Sequence, residues 1–408
     1  MPDPTEAIRC PGMRDLVGDE MERVRAVEAA FAAACRAWGF REVRTPLIEY
    51  LHLYTMSGAL SPQLLSRVYS FLDWDGWSGE RVVLRPDSTV AVARLYGERF
   101  AGGPARVFYR QSVLRFAPGD EQRESWQAGA EVIGIERGAT DIELILLAAE
   151  VFGRLGLPAP RILVSHPGII RAVLAGAGFD DDERVALYDR ILEGDQGAIL
   201  EIENALPDLG SALKILFEVD GSGPEYIKNV RSSLADALPG TSSPLDELAE
   251  AAEAISSLGV TYTIRTALVR NFEYYTGVVF HLEGQEGRLG GGGRYDTLAE
   301  SITGTPAAAC GFAIDTESVA ELLGTEGRTG STAVAVMTPS EAVVDGLGLV
   351  RALHGRGLDA VLNPGRPNGL SVTVVADGFE VPVGYERRVV NTVDAAVAAL
   401  EEAAKGSS

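Results

Sequence analysis

Two stretches in the second half of the chain hold residue types and spacings that point to chemistry. The first reads RLGGGGRYD over residues 288–296, with four consecutive glycines ahead of Arg294 and Tyr295. Glycine has no Cβ atom, so a glycine run lets the backbone approach a ligand closely. The spacing is not that of a GxGxxG dinucleotide site or of a P-loop. Taken alone, the run predicts either a tight turn or a ligand-facing loop.

The second stretch reads LVRNFEYYTGVVF over residues 268–280, and it places Arg270, Glu273, Tyr274 and Tyr275 ahead of an apolar strand. Adjacent tyrosines belong more often to a core or an interface than to a ligand site, because the ring is apolar and only the hydroxyl needs a partner. An isolated arginine is more often one half of a surface ion pair. These residues become informative only as a set.

The elements that must position them alternate between strands and helices. Apolar residues at helical spacing predict a long helix over residues 15–38, ending at Gly39. Thr140 and Glu143 form a capping-box pattern that predicts the start of another helix. The segment 166–258 has a helical, acidic pattern, and we interpret it as an insertion into one antiparallel sheet. Strands of that sheet and its neighbours are predicted at residues 68–72, 81–84, 105–114, 128–135, 261–269, 277–282 and 308–314.

A polar stretch at residues 326–331 predicts a linker between a main domain, 1–325, and a C-terminal domain, 332–408. The C-terminal pattern of strand, helix, strand and strand is typical of a small α/β domain. The expected fold class is therefore α+β: an antiparallel sheet flanked by helices, with a helical insertion and a small α/β domain at the end.

Composition narrows the functional classes. The formal net charge is −22, which disfavours a nucleic-acid partner, because such affinity comes from Lys and Arg on phosphates. The 3 cysteines and 4 histidines are scattered, so we expect neither a disulfide framework nor a metal site. No apolar run reaches membrane-spanning length, and the N-terminus is polar and acidic. We expect a cytoplasmic protein without membrane contact.

Taken together, the two stretches resemble the histidine-specific signature of histidyl-tRNA synthetases, RGLDYYTG…GGGRYD. Other segments then fall into register. The turn at Gly12 resembles the opening of that family, GFREVRTPLIE resembles class II motif 1 with Pro46 as its proline, and LRPDST, from Leu84, resembles the family's LRPEGT. Motif 2 is matched by VFYRQSVLRF, with Arg115 at the motif arginine. The resemblance spans about residues 10–325 and implies the class II synthetase-like fold.

The resemblance also implies a pocket for free histidine. Asp87, Thr89 and Gln127 would face the α-amino group, and Arg270 would face the carboxylate. Glu131 and Tyr275 would face the imidazole. This chemistry is sensible, because an ammonium or imidazole N–H needs oxygen acceptors and a carboxylate fits a guanidinium fork. The complete set of expected histidine-binding residues is Asp87, Thr89, Arg115, Gln127, Glu131, Arg270, Tyr274 and Tyr275.

The sequence departs from a synthetase where ATP would bind. Adenylyl transfer needs cationic groups on the phosphates, yet motif 3 reads GFAIDTES, with Asp315 at the family's glycine and Ser318 at its arginine. A carboxylate there would repel phosphates. Ala117 stands where the motif 2 glutamate is expected, and the loop after it is short and acidic, although Arg123 is a candidate replacement cation. We therefore expect no catalytic residues and no cofactor.

A histidine pocket without ATP chemistry or RNA binding resembles the regulatory subunits of ATP phosphoribosyltransferase, a family of synthetase paralogues. That resemblance implies a non-catalytic homodimer within a hetero-oligomer, which binds the short-form catalytic subunit, is needed for its activity and senses histidine in the first step of histidine biosynthesis. One alternative is a divergent histidyl-tRNA synthetase or another amino-acid-activating paralogue. A further alternative is a paralogue whose pocket takes a different amino acid or none, because Asp87, Ser88 and Asn271 differ from the synthetase pattern.

Overall fold

A computed structural model describes fifteen ranges of the chain and divides it into two compact units, Met1–Gly324 and Thr325–Ser408. No helix in these ranges is long and apolar enough to cross a membrane. The predicted linker at 326–331 lies outside the described residues. The described ranges are 9–56, 65–74, 79–100, 103–135, 138–192, 195–209, 213–214, 216–217, 220–234, 238–266, 275–285, 287–324, 333–363, 370–383 and 386–405.

An eight-stranded sheet forms the frame of the first unit. Its strands in chain order are β1 (Arg41–Glu42), β5 (Ala105–Leu114), β6 (Glu124–Ile133), β7 (Arg161–Ser165), β8 (Tyr262–Ile264), β9 (Val279–Glu283), β10 (Arg288–Arg294) and β11 (Ala309–Asp315). They lie in the order β1-β5-β6-β11-β10-β9-β7-β8. The pairs within β5-β6-β11-β10-β9-β7 are antiparallel, and the outermost pairs β1-β5 and β7-β8 are parallel. The expected antiparallel sheet is present, with a parallel strand at each edge.

The described helices of the first unit fall into three groups. Within segment 166–258, they connect the parallel strands β7 and β8, as expected for a helical insertion. The first group is α1 (Gly18–Ala37), α2 (Leu51–Met56), α3 (Ser88–Arg99) and α4 (Ala139–Arg154). The insertion holds α5 (Pro167–Gly176), α6 (Asp181–Leu192), α7 (Gln196–Ala205), α8 (Pro224–Leu234) and α9 (Ser242–Ser257). Two short helices flank β11, namely α10 (Asp296–Thr303) and α11 (Thr316–Glu321).

The capping-box prediction at α4 is wrong. The helix begins without a side-chain cap. The hydroxyl of Thr140 instead accepts a hydrogen bond from Arg294 Nη2 at 3.0 Å, and the carboxylate of Glu143 pairs with Arg106. A buried guanidinium on the neighbouring strand has therefore taken the capping hydroxyl, a tertiary contact that the local pattern cannot reveal.

The two faces of the large sheet differ in side-chain size, because successive residues of a strand point to opposite sides. On one face, Phe108, Phe280 and Phe312 pack against α1, with the ring of Phe31 5.8 Å from that of Phe312. On the other face, Gly311 of β11 stands in register with Gly293 of β10 and with Glu131 of β6, and Ala313 of β11 stands in register with Gly129 of β6. That second face is a floor of small residues, and a side chain of moderate size can lie across it.

The glycine run is neither a turn nor a loop, so both predictions for it are wrong. Residues 290–293 lie inside β10, between β9 and β11. A Cβ atom at Gly292 would come within 2.0 Å of the carbonyl oxygen of Gly311 and 2.5 Å of Phe312 Cα. At Gly293 it would lie 2.6 Å from the side chain of Val279. The glycines are thus explained by close approach of neighbouring strands.

A three-stranded sheet stands beside α2 and α3. It consists of β2 (Ile48–Tyr50), β3 (Ser70–Trp74) and β4 (Gly79–Leu84), in the order β2-β4-β3 and antiparallel throughout. Tyr50 and Phe71 lie on either side of Val82 in register, and both are more than 40% exposed. One face of this sheet therefore presents apolar side chains to solvent.

The second unit is a five-stranded sheet with two helices and its own apolar core. The order is β13-β12-β14-β15-β16, with parallel pairs around β12 and antiparallel pairs beyond. On its surface, Arg387 donates hydrogen bonds to Glu380 at 3.2 Å and to Ser371 at 2.7 Å. The elements are β12 (Val334–Met337), α12 (Val343–Gly355), β13 (Ala360–Leu362), β14 (Ser371–Val375), β15 (Gly378–Val383), β16 (Glu386–Val390) and α13 (Val393–Lys405).

Candidate amino-acid-binding site

Glu131 is the centre of the candidate site. It lies on β6, facing the small-residue floor of the sheet, and it is 1% exposed. One carboxylate oxygen accepts hydrogen bonds from Thr89 Oγ1 at 3.0 Å and from the Tyr109 hydroxyl at 3.2 Å. The other accepts a short hydrogen bond from the Tyr295 hydroxyl. Three hydroxyl groups from three different elements thus converge on one carboxyl group.

Two glycines make room for this arrangement. A Cβ atom at Gly311 would lie only 1.4 Å from Glu131 Oε2, and one at Gly129 would lie 2.3 Å from the Tyr109 hydroxyl. The side chains of Glu131 and Tyr109 therefore lie across the backbone of adjacent strands. The small-residue floor is a requirement of the site, since a larger residue would displace the carboxyl group.

Burial raises the pKa of Glu131 to about 8, because a charged carboxylate loses its hydration, and nearby Asp87 adds repulsion. The hydroxyl hydrogen bonds oppose this shift but do not cancel it. Burial likewise raises the pKa of Tyr109 well above its ordinary value, with the Glu131 charge contributing. With a pKa of about 8, the Glu131 carboxyl group is mostly protonated near neutral pH.

Asp87 and Thr89 lie at the start of α3, and this position fixes both side chains. Asp87 caps the helix, since its Oδ1 accepts hydrogen bonds from Thr89 N at 2.9 Å and Val90 N at 3.2 Å. Its carbonyl oxygen accepts a bond from the Tyr54 hydroxyl at 3.1 Å. The capped turn aims the Thr89 hydroxyl at Glu131. Asp87 and Thr89, which are expected to contact the ligand's amino group, are therefore linked through the Thr89 hydroxyl to Glu131, which is expected to contact the imidazole ring.

Gln127 and Arg115 lie towards one end of the same region. Gln127 is two residues from Gly129 on β6 and stands in register with Gln111 and Asp315, on the same face as Glu131. The Nε of Arg115 donates to the carbonyl oxygen of Pro86 at 2.8 Å, directly before Asp87. Both residues are therefore placed at the end of the floor nearest to the turn that begins α3.

Tyr275 lies on the far side of the floor, where it packs against Leu163 and Val279. Burial raises its pKa to about 12, and the charges of Asp87 and Glu131 contribute to that shift. Its carbonyl oxygen accepts a hydrogen bond from Arg171 at 3.0 Å. The predicted site residues Arg270 and Tyr274 lie outside the described residues.

Sequence reasoning missed two tyrosines that bond directly to Glu131. Tyr295 belongs to the GGGRYD motif, so the motif could have identified it as a site residue. Tyr109 stands opposite Gly129 on the neighbouring strand, a relation that emerges only from the register of β5 and β6. Neither residue was expected to line the site.

The residues that the motif comparison assigns to the nucleotide side make contacts with one another. Asp315 caps α11, with its Oδ1 accepting from the backbone N–H of Ser318 at 2.8 Å. Only the Asp315 departure in motif 3 therefore has a structural role in this cap, because any residue at position 318 supplies the same N–H. Arg123 donates to the carbonyl oxygen of Ala117 at 2.9 Å and lies over the ring of Phe116. The candidate replacement cation is therefore used to hold its own loop.

A second set of contacts ties that loop to the N-terminal turn. Glu317, which is 5% exposed, accepts hydrogen bonds from Arg14 at 2.5 Å and from Gln122 at 2.6 Å. The backbone N–H of Arg123 donates to the Gly12 carbonyl at 2.9 Å. Among the described residues there is also no cluster of three or more His, Cys, Asp or Glu side chains that could hold a metal ion. The loop after motif 2 and the N-terminal turn are therefore linked through Glu317 and through the Arg123–Gly12 backbone hydrogen bond.

Comparison with known proteins identifies the fold and its relatives. Residues 12–319 match the family model of histidyl-tRNA synthetase. The ATP phosphoribosyltransferase regulatory subunit of Dehalococcoides mccartyi is 44% identical over 308 residues, 75% of each chain. The histidine–tRNA ligase of Thermococcus kodakarensis is 30% identical over 76% of this chain and 73% of its own. A Bacillus halodurans structure described as an ATP phosphoribosyltransferase regulatory subunit/histidyl-tRNA synthetase has a TM-score of 0.75 at 25% identity, covering 88% of this chain and 93% of its own.

These matches confirm the class II synthetase-like α+β fold. They cover the whole region in which Glu131 and its partners lie. The chain therefore belongs to the histidyl-tRNA synthetase family, as a paralogue grouped with the ATP phosphoribosyltransferase regulatory subunits.

Proposed function

We propose that this protein is the regulatory subunit of a short-form ATP phosphoribosyltransferase, that it senses free histidine in the cytoplasm, and that it does not aminoacylate tRNA. One observation carries the proposal. The amino-acid side of the synthetase site is built around a buried Glu131 with three hydroxyl partners, whereas the residues expected on the nucleotide side bond to one another: Asp315 caps α11 and Glu317 binds Gln122. Such a protein recognises an amino acid without activating it.

Histidine fits the chemistry of the amino-acid side. An imidazole N–H needs an oxygen acceptor in a buried setting, and Glu131 supplies a carboxyl group that can hold or release a proton near neutral pH. Tyr275 closes the ring end, Asp87, Thr89 and Gln127 face the amino group, and Arg270 receives the carboxylate. Arg115 and Tyr274 complete the pocket. Thr89 then supports the ligand indirectly as well, through its bond to Glu131.

Regulation requires a partner and two states. Histidine must bind one assembly state more tightly than the other, and coupling of this kind is typically about 1–3 kcal/mol. The assembly is a homodimer of this chain within a hetero-oligomer that contains the catalytic subunit. The exposed apolar face around Tyr50 and Phe71 supports the homodimer, because it lies next to the motif 1 segment.

The deciding experiment is histidine-dependent ATP–pyrophosphate exchange on the purified chain, run beside calorimetric titration with histidine. We expect measurable binding and no exchange. Robust exchange would establish the alternative, a divergent synthetase. Titration with all twenty amino acids separates a histidine sensor from a paralogue that binds another amino acid or none.

Two variants test the pocket. Glu131→Ala and Tyr275→Phe should each weaken histidine binding while leaving the fold intact by circular dichroism. Unchanged affinity in both variants would refute the assignment. Co-purification with the catalytic subunit from native lysate, and the dependence of that subunit's activity on this chain, test the regulatory role separately.

A further inference from the structure

A cavity of about 770 Å³ lies on the opposite face of the large sheet from Glu131. It opens between the first turns of α4 and the outer half of α9, and its base is formed by Val278 and Arg294. Both base residues lie on the face that carries Phe280 and Phe312. The cavity is therefore separate from the candidate amino-acid site, and its volume is within the range of small-molecule pockets, roughly 300–1,000 Å³.

The walls combine apolar surface with carboxylates. Ala251, Ala254 and Leu258 come from α9, whereas Ile142 and Leu146 come from α4. The indole of Trp38 stands at the C-terminal end of α1, and its Nε1 donates to Glu150 at 2.6 Å, which fixes the orientation of the ring. The acidic residues of the lining are Asp141, Glu143, Glu247 and Glu250.

Among the described residues, four carboxylates and one arginine line the cavity, so its charge is negative, but three of the carboxylates already have a partner: Asp141 pairs with Arg294, Glu143 with Arg106, and Glu247 with His166 Nε2 at 3.3 Å. Arg294 is the one cationic residue in the described lining, and its guanidinium is 1% exposed. It is bonded to Thr140, Asp141 and Asp296, so its donors are directed into the protein rather than into the cavity. Glu250 is exposed at the mouth. An anion is disfavoured here, whereas a cation with an apolar body gains carboxylate contacts, apolar burial and the face of an indole.

We propose that this cavity binds an organic cation, an ammonium or guanidinium group carried on an aliphatic chain. Such a group has two possible sources, a free amine or the basic side chain of another protein. The proposal does not depend on the function proposed above, because it concerns a different face of the sheet and different residues.

The test uses the full-length protein and titration calorimetry with agmatine as the probe and 1-pentanol as its uncharged counterpart. We expect agmatine to bind and 1-pentanol to bind at least about 10-fold more weakly, since only the cation meets the carboxylates. Acetyl-Ala-Arg-Ala-amide distinguishes the sources. Tighter binding of agmatine indicates a free amine, and tighter binding of the peptide indicates a protein side chain.

Variants on α9 localise the binding. Glu250→Gln should weaken agmatine binding about 3- to 10-fold, the scale of a partly exposed charge contact, and Ala254→Phe should abolish it by filling the cavity. Glu253→Gln removes the same charge from an exposed position outside the lining and should leave the affinity unchanged. Circular dichroism spectra and thermal unfolding unchanged from the wild type would show that the variants are folded. No binding of either cation by the wild type, or equal binding by Ala254→Phe, would overturn the proposal.

Discussion

At the scale of single residues, Glu131 couples the candidate site to pH. Its pKa is raised to about 8 by burial, above the value near 4.5 of an exposed glutamate. Between these values the folded chain binds a proton that the unfolded chain has lost. The stabilisation from this proton is complete below pH 4.5 and is lost as the pH rises through 8. A carboxyl group with a raised pKa thus lowers the stability of the folded chain as the pH rises. An ion-paired carboxylate, whose pKa is lowered, reduces stability as the pH falls.

We therefore expect the free energy of unfolding to fall by several kcal/mol between pH 5.5 and pH 8.5 in the wild type, by an amount that Glu131→Gln reduces. Glutamine keeps the shape and cannot ionise. Urea unfolding of both proteins at the two pH values measures the difference. Parallel slopes for the two proteins would mean that Glu131 does not titrate in this range. Saturating histidine should oppose the loss in the wild type, because a ligand N–H compensates the ionised carboxylate.

At the scale of elements, the glycines of β10 keep the sheet closed. Gly292→Ala would place a methyl group against the Gly311 carbonyl, so the strands must separate or bend. We expect a loss of about 1–3 kcal/mol in the free energy of unfolding, the range for overpacked sites. Gly153→Ala is the matched control, because it lies in α4 with no atom within 4 Å of an added Cβ, and alanine favours helix. Equal stability of the two variants, measured by denaturant unfolding, would show that β10 tolerates side chains.

Comparison of β5, β10 and β7 shows which strands could be predicted from the sequence and which could not. The sequence predicted a strand over residues 105–114, and the structure has that strand, because the segment is rich in residues that favour strands, such as Val107, Phe108 and Tyr109. For β10 the local signal was misleading, since a glycine run lacks the side chains on which strand periodicity depends. The strand β7 was not predicted at all, because its short apolar run precedes a helix start at His166. Both β10 and β7 are strands because they pair with neighbouring strands, and the local sequence does not reveal that pairing.

The sequence likewise predicted some residues of the candidate site and missed others. Glu131, Thr89 and Asp87 were predicted through their motif context, and the structure places them side by side. Their roles toward a ligand remain predictions. The partners Tyr109 and Tyr295, and the cap that Asp315 forms on α11, come from register and helix geometry. Motif comparison identified Asp315 as a departure from the family's glycine, and only the structure shows that it caps α11.

The cap that Asp315 forms on α11 can be removed together with the other departure in motif 3. Asp315→Gly combined with Ser318→Arg restores the synthetase-like residues of motif 3, yet Arg123 remains bonded to its own loop and Ala117 remains in place. We expect no histidine-dependent pyrophosphate exchange. Replacing the capping Asp315 by glycine should lower the free energy of unfolding by only a few tenths of a kcal/mol, roughly, because glycine is itself tolerated at a helix N-cap. Exchange above background in the double variant would show that the nucleotide side is two substitutions from activity.

At the scale of the whole molecule, the net charge opposes the association of two copies, whereas the exposed apolar surface favours it. Each chain carries a formal charge of −22, so two copies repel. The face that carries Ile48, Tyr50 and Phe71 presents three large side chains that are 48%, 48% and 41% exposed. Apolar association is not weakened by salt, whereas long-range repulsion is screened within about 10 Å at 0.1 M ionic strength. A homodimer formed through this face should therefore become more stable as salt is added.

We expect light scattering coupled to size exclusion to give a dimer mass for the wild type and a monomer mass for the double variant Tyr50→Glu with Phe71→Glu. Two added carboxylates per chain would have to be buried against two others, and buried unpaired charges are strongly unfavourable. Leu200→Glu is the control, because Leu200 is 57% exposed on α7, away from the three-stranded sheet, and its dimer should persist. A wild-type monomer at both low and high salt would remove the homodimer from the proposed assembly. A double variant that remains dimeric would place the interface on another surface, and histidine titration of the monomeric form would then decide whether the site of Glu131 is complete within one chain.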